Sequence, residues 1–500
     1  MKKMMLLVIF MAVVCGAGVV SGQSKGELVV CQGAEVNSLD PARHNSVTDT
    51  NYGIQVFDML YYRDEQGIAK PRLALSHKLI NATTWQFKLR TGVKFHNGAE
   101  MTAKDVKFSI DRMIDPQTKA FFAPFWKIIK EVKVINNSTI QITTSAPDPL
   151  LLKRLSYSLF IMPSDLFKEK GAEAFFQHPV GTGPFRFVSW ARNDRMVLEA
   201  NEAYWDGVPK MKRIIIRALP ETATRLAELQ TGNADIITSI PPFLVPKVKA
   251  YSGATVQSIP SGRIMFLYIN CKAKGPLQDK RVRQALNYAV DRKTIINNVL
   301  SGSAVEMAVN LTPYHFGYDP ALKPYPYDPA KAKKLLSEAG YAKGLKLVFN
   351  SPNGRYQLDK EVSEAIAGMF RAVGIEVDMN IREWGTYTQM LVQNRLQDIG
   401  FIGWGNMLHD ADGTLQPYFT PDSAFSYYNT PALAEKINKA RTTMDEKKRL
   451  ELYKEIQRDI YEAAPLVFLY QQIDHYGVSN KVSNFKVRGD EHLVLYKVSK

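Results

Sequence analysis

Two hydrophobic periods alternate along the chain. "GELVVCQG" (26–33) is a short apolar run bounded by glycines and predicts a strand, and "TWQFKLRTGVKF" (84–95) alternates as a half-buried strand does. "MTAKDVKFSIDRM" (101–113) opens on Thr102 with Asp105 three places on, a capping-box variant that predicts a helix start. "ETATRLAELQTGNADIITSI" predicts a helix stopped by Gly232 and followed by a strand, and "IMFLYIN" (264–270) predicts another strand. Val282, Ala285, Leu286, Ala289 and Val290 fall on one helical face. In "YDPAKAKKLLSEAGY" (327–341) Asp328 can cap, Pro329 suits the first helical position, Ala332, Leu335, Leu336 and Ala339 form the stripe, and Gly340 ends it. A second stripe, Val362, Ala365, Ile366, Met369, Phe370 and Val373, is stopped by Gly374 before a further strand. The Pro-rich segment "PYHFGYDPALKPYPYDP" (313–329) reads as a surface loop. Helices and strands alternate from end to end, so the fold class is α/β.

The N-terminus breaks this pattern. Lys2 and Lys3 precede an apolar run from Leu6 to Val14 and then small residues, the layout of a secretory signal peptide over 1–22. A lipid anchor at Cys15 is disfavoured, since Val14 stands where Gly or Ala is normally wanted. No later stretch reaches the ~18 apolar residues of a membrane span. A chain of 500 residues is too long for one core and predicts two or three lobes. The net charge of +15 is scattered rather than clustered with aromatics, which argues against a nucleic-acid partner. Cys31 and Cys271 remain after export, and whether they meet depends on geometry that the sequence does not show.

Chemistry-bearing motifs are scarce. There is no GxSxG, HExxH, CxxC, P-loop or GxGxxG, and no histidine lies four residues from another. The densest stretch is "GFIGWGNMLHDADGTLQPYF" (400–419), where His409, Asp410 and Asp412 can ligate a metal, polarise a substrate or cap a helix. An exported hydrolase built on Asp410 and His409 is therefore one reading to test; a sensor or chaperone is another.

Seven ordered stretches resemble one family: "NSLDPA" (37–42), "WQFKLRTGVKFHNGAEMTAKDVKFSIDRM" (85–113), "HPVGTGPFRFVSW" (178–190), "NEAYWDGVPKMKRIIIRALPE" (201–221), "RLAELQTGNADI" (225–236), "LQDKRVRQALNYAVDRKTII" (277–296) and "YDPAKAKKLLSEAGY" (327–341). Together they are similar to the dipeptide/oligopeptide-type solute-binding proteins of ABC importers, the family 5 extracellular solute-binding proteins. The resemblance implies a two-lobed periplasmic-binding-protein clamshell with an extra subdomain inserted in the first lobe. It divides the chain into a first lobe (23–70, 179–268 and 475–500), an inserted subdomain (71–178) and a second lobe (269–474), with hinges near 265–275 and 470–480. It also implies a periplasmic monomer, not an enzyme, that closes on a small organic solute and docks on the permease subunits of an ABC importer. No cofactor and no metal is expected, although nickel-binding members of the family make a metal chelate an alternative ligand.

Site residues follow by the same route. Dipeptide-binding relatives carry a GWxxDxxDP-like stretch whose first aspartate pairs with the peptide α-amine. Here that position is Met407, and Ala411 replaces the proline, so an ammonium would lack its anion. Asn406 and Met407 are expected to face the ligand, and Asp410 lies beside them, with helix capping its other role. Arg355 matches the arginine that relatives keep for the ligand's carboxylate; a surface ion pair is the alternative. Trp384 and Trp404 match cleft-lining aromatics or else core packing, and Tyr52 is a first-lobe candidate. His96 and Asp105, by contrast, are expected to be structural.

Overall fold

The computed structural model describes residues 26–44 and 46–500, so the expected signal segment and Cys15 lie outside the described residues. One twisted sheet runs through both lobes. Its strands lie in the order Ile375–Arg382, Leu345–Pro352, Ile399–Gly405, Ala254–Ile269, Leu466–Ser479, Ile236–Ile237, Glu27–Gln32, Arg213–Ala218, Arg195–Ala200 and Phe185–Ala191, with Ala304–Glu306 added against Leu466–Ser479. The first three strands belong to the second lobe, and Ile236–Ile237 and the strands after it belong to the first. Glu27–Gln32 pairs in parallel with Arg213–Ala218, and its Leu28, Val29, Val30 and Cys31 are all buried, as a central strand covered on both faces requires.

Two long antiparallel strands, Ala254–Ile269 and Leu466–Ser479, carry the chain between lobes. Their ladder is regular from Ala254 to Pro260 and again from Phe266 to Tyr268, with register shifts between Pro260 and Ile264 and between Met265 and Phe266. At the first break side chains replace the missing ladder bonds: Ser261 Oγ donates to the Gln472 carbonyl (3.0 Å) and Gln471 Nε2 to the Ser261 carbonyl (2.6 Å). The lobes thus change over at 261–263 and 471–473, on the near side of the first expected hinge segment. A bulge weakens pairing locally and is where a sheet bends.

A separate antiparallel sheet, in the order Ala74–Asn81, Thr84–Leu89, Thr139–Thr144 and Ile129–Asn136, lies within the stretch expected to be the insert. The helix Ala103–Ile114 covers it, with the Thr102/Asp105 capping box in place. Its core gathers Phe87, Val106, Ile110 and Ile140, and reaches back to Leu60 and Tyr61 and forward to Leu155 and Leu159. His96 serves the turn, as expected: its Nε2 lies 3.0 Å from the Gly183 carbonyl and Gly181 N donates to its Nδ1.

The second-lobe helices end where the sequence places their caps. Pro329–Glu338 is capped by Asp328, and Asp359–Ala372 buries Val362, Ile366 and Phe370. One expectation holds only in part. The Pro-rich segment is an irregular loop with Pro320, Lys323 and Tyr327 exposed, but it is anchored inward as well: His315, Asp319 and Tyr325 are buried in it, Asp319 takes an ion pair from Arg458, and Tyr325 packs on Tyr461 and Phe468. Cys31 and Cys271 are both free, one in each lobe. No helix among the described residues is long and apolar enough to cross a membrane.

Candidate functional site

The strand Ile399–Gly405 delivers Trp404 to the edge of the second lobe. There its Nε1 donates to the Gly413 carbonyl (2.9 Å) and its ring meets Tyr418 and Phe425 edge-on at 5.1 and 5.4 Å. Arg355 follows the parallel strand Leu345–Pro352. Asp359 organises its turn, accepting from the backbone N–H of Gly354, Arg355 and Tyr356 at 2.9, 2.9 and 3.0 Å. The Arg355 guanidinium lies 5.2 Å above the Tyr356 ring and 5.1 Å above Trp384. Trp384 in turn stacks on Tyr387 at 6.0 Å, and Tyr356 Oη donates to the Gly403 carbonyl (3.0 Å), tying this turn to the strand that bears Trp404. Arg355 is exposed, Trp384 and Trp404 are half-buried, and the Tyr356–Gly403 bond joins them into one wall of cation and rings.

Three residues that carried no sequence signal stand opposite or beside this wall. Arg263, at the hinge break, lies 6.0 Å from the Tyr356 ring and pairs with Glu491 of the first-lobe tail (3.3 Å). Asn51 Nδ2 donates to the Glu491 carbonyl, and Glu491 has a positive φ of 62°, a costly conformation for a side chain of this kind. Asp474 lies on the second hinge strand and is 8% exposed; its Oδ1 accepts from Gln472 and its Oδ2 has no partner. Burial, reinforced by the neighbouring Glu491 charge, pushes the Asp474 carboxyl up to about 7. The seam thus has a cationic pole at Arg355 and Arg263 and an acceptor pole at Glu491 and Asp474.

The remaining expected residues are placed differently. Tyr52 is 0% exposed in the first-lobe core, where its ring meets His44 and Phe57; its neighbour Asn51 reaches the seam instead. Asn406 spends its side chain inside its own loop, donating to the Asp410 carbonyl and Thr414 Oγ1 and accepting from Leu408 N. Met407 packs against the insert core, and its carbonyl accepts from Arg63 Nη1 (2.6 Å).

Asp410 is fully buried between two cations, Arg449 of the second lobe (2.8 and 2.5 Å) and Lys153 of the insert (3.0 Å). Burial alone would raise its carboxyl, but Lys153 and Arg449 outweigh that and hold it at about 2. Its Oδ1 also accepts from Asp412 N at the start of the helix Asp412–Phe419, whose N-cap is Ala411 rather than Asp410. A carboxylate so held is a poor proton acceptor near neutral pH, so it does not supply the general base a hydrolase needs.

The loop around Asp410 is where the lobes touch. Lys153 Nζ also donates to the His409 carbonyl (2.7 Å), and Gly262 N donates to the Gly489 carbonyl (2.7 Å). Gly67, with φ +78°, turns the hairpin of Tyr61–Arg63 and Ala69–Pro71 directly against the His409 ring, where a Cβ would collide. Burial, then the Arg63 charge, drives the His409 imidazole well below its ordinary value, so it sits neutral in the seam. Among the described residues no group of three or more His, Cys, Asp or Glu side chains converges to hold a metal.

Comparison with known proteins places this architecture. Residues 69–426 match the model of bacterial extracellular solute-binding proteins, family 5 (middle). The chain is 29% identical to the glutathione-binding protein GsiB of Pectobacterium atrosepticum, covering 93% of this chain and 92% of that protein. It is 30% identical to heme-binding protein A of Haemophilus influenzae, covering 83% and 81%. Among solved structures, the ABC transporter-associated periplasmic binding protein DppA of Helicobacter pylori, in complex with the peptide STSA, superposes with a TM-score of 0.80 at 26% identity, covering 95% of this chain and 98% of that one. The chain belongs to the family 5 extracellular solute-binding proteins, a two-lobed binding protein of ABC import and not an enzyme.

Proposed function

We propose that this protein works in the periplasm, holds a small organic solute bearing a carboxylate between its lobes, and hands it to the membrane permease of an ABC importer. The observation that carries the reading is Arg355. Its guanidinium lies over two aromatic rings at the seam, and among the described residues no carboxylate is paired with it. Burial and then the repulsion of Arg263 lower its proton affinity, a tension that an anionic guest relieves. A guanidinium offers two parallel donors to a carboxylate, and Trp384 and Trp404 supply flat apolar walls beside it. The relatives' names fit this chemistry, since glutathione, heme and a peptide all carry carboxylates.

The amine side of the guest is handled differently from the dipeptide-binding pattern. The position of the amine-binding aspartate is Met407, packed on the insert, and the nearby carboxylate of Asp410 is taken by Lys153 and Arg449. A polar head opposite the carboxylate finds its acceptors at Glu491 and Asp474 instead. Modified or blocked peptides and opine-like conjugates satisfy both poles.

A thermal-shift screen of carboxylated solutes on refolded, ligand-stripped protein identifies the guest, because stabilisation grows as RT ln(1 + [L]/Kd). Titration calorimetry then reads Arg355→Ala. Loss of a charged hydrogen-bonding partner is worth about 1.5–3 kcal/mol, so affinity falls roughly ten- to hundredfold. Unchanged affinity in Arg355→Ala contradicts the reading.

A further inference from the structure

One cavity of about 1250 Å³ lies beside the seam contact of Arg63 and apart from the Arg355 wall. It is a groove between the first-lobe segments around Ile54–Met59 and Trp205–Lys210, the hairpin at Tyr62–Gln66, and the tail from Asn484 to Lys497. None of the residues assigned above to the cleft wall lines it. Sites for organic ligands typically enclose ~300–1000 Å³, so this groove has room for a guest and ordered water.

Its lining has an excess of unanswered cations. Each acid in it is engaged: Asp58 by Arg72, Tyr204 and Trp205, Asp64 by Lys70, Glu65 by Lys486, and Asp206 by the Tyr496 hydroxyl. Arg90 and Lys210 have no such partner among the described residues. The Arg90 guanidinium stacks 4.4 Å from the Trp205 ring and gives one N–H, Nε, to the Arg72 carbonyl. Arg63, which also lines the groove, is 4% exposed, and its Nε and Nη2 have no acceptor. Buried donors of this kind are costly unless something accepts from them.

The same groove collects apolar surface. Tyr62, Val208 and Val494 line it together and are 39%, 56% and 38% exposed. Trp205 is fixed there by its Nε1 bond to Asp58 Oδ2 (2.9 Å). Fixed rings, exposed aliphatic surface and acceptor-less cations on one wall select for a particular chemistry.

We propose that this groove is a second ligand site, separate from the wall of Arg355, Trp384 and Trp404, for an organic anion with a flat apolar body, of the aryl carboxylate or aryl sulfonate class. The proposal goes beyond solute capture in the cleft and does not depend on it.

The test is a fluorescence titration of the full mature chain with 8-anilinonaphthalene-1-sulfonate, an aryl sulfonate that brightens in apolar surroundings. Wild-type protein is expected to show one saturable site. The double variant Arg90→Gln/Lys210→Glu weakens it roughly tenfold or more, while Lys343→Glu, an exposed lysine of the second lobe, leaves it unchanged. Val208→Glu, at an exposed position where folding is not in question, weakens it as well by placing a negative charge on the wall. Circular dichroism confirms that each variant is folded. Absence of saturable binding, binding that persists in both groove variants, or binding abolished by Arg355→Ala, which would put the dye in the cleft, overturns the proposal.

Discussion

Asp474 shows how much one side chain on a hinge strand can report. Its carboxyl is buried with Oδ2 unpartnered, and burial with the Glu491 charge pushes it up to about 7 from the 3.8 of an exposed aspartate. The folded state therefore holds a proton that the unfolded chain has lost between pH 3.8 and 7, so this group's contribution falls as pH rises through that window and is lost above it. Asp474→Asn keeps the shape and removes the charge. Its Tm should exceed that of the wild type at pH 8 by more than at pH 5; an equal difference at both pH values, read by calorimetry, rules the buried carboxyl out as the cause. Nothing in "QQIDHYGV" distinguishes this aspartate from a surface one, since its burial is set by strands far away in sequence. The expectation for Arg355 rests on a motif that resembles a family's. Arg263 and Glu491 carry no such signal, because their pairing joins residues 228 positions apart. Tyr52 misled for the reason that helps elsewhere: an aromatic in a polar stretch can serve a core as readily as a cleft, and here the helix turns Asn51 outward instead.

Short segments hold the seam together. The helix Leu151–Leu155 brings Lys153 to the loop 405–412, and the hairpin at Tyr61–Arg63 brings Arg63 to the same loop. These contacts join the first lobe and the insert to the second lobe, so they favour closure. Lys153→Met removes the ammonium but leaves Asp410 its bidentate Arg449, so the loop stays folded while the interlobe bond is lost. A charged hydrogen bond of about 1.5–3 kcal/mol corresponds to roughly a ten- to hundredfold shift toward the open form. Small-angle scattering of the unliganded protein should show a larger radius of gyration for Lys153→Met than for wild type; identical curves would mean that Lys153 does not hold the lobes. The capped helices on either side of this region, Pro329–Glu338 and Asp359–Ala372, were readable from stripe and cap because their signals are local. The Pro-rich segment shows its irregularity in the sequence but not its anchors, because prolines and tyrosines mark a break in regular structure without saying which residues are covered. Here the helix Glu446–Ala463 covers it through Arg458, Tyr461 and Gln457.

Continuity of the sheet governs how the two lobes move. Because the strands Ala254–Ile269 and Leu466–Ser479 run from one lobe into the other, closure is expected as a bend at their register shifts, between Pro260 and Ile264 and between Met265 and Phe266, rather than a swing on a slack linker. The proposed ligand poles sit beside those shifts, with Arg263 at the first and Asp474 on the partner strand, so a guest that bridges Arg355 to Glu491 is expected to act directly on the hinge. A ligand moves such an equilibrium only as far as its preference for the closed form allows, and a guest held by both poles has that preference built in. The α/β class and the existence of lobes were evident in the alternating periods and the length. The changeover point was not, since a bulge filled by Ser261 and Gln471 side chains leaves no hydrophobic signature. The central claim is that one carboxylate-bearing solute is clasped at this seam. It is tested most directly by crystallising the protein with the solute that stabilises it and locating the new electron density. Density spanning Arg355 and Glu491, flanked by Trp384 and Trp404, is the predicted result; density elsewhere, with Arg355 untouched, contradicts it.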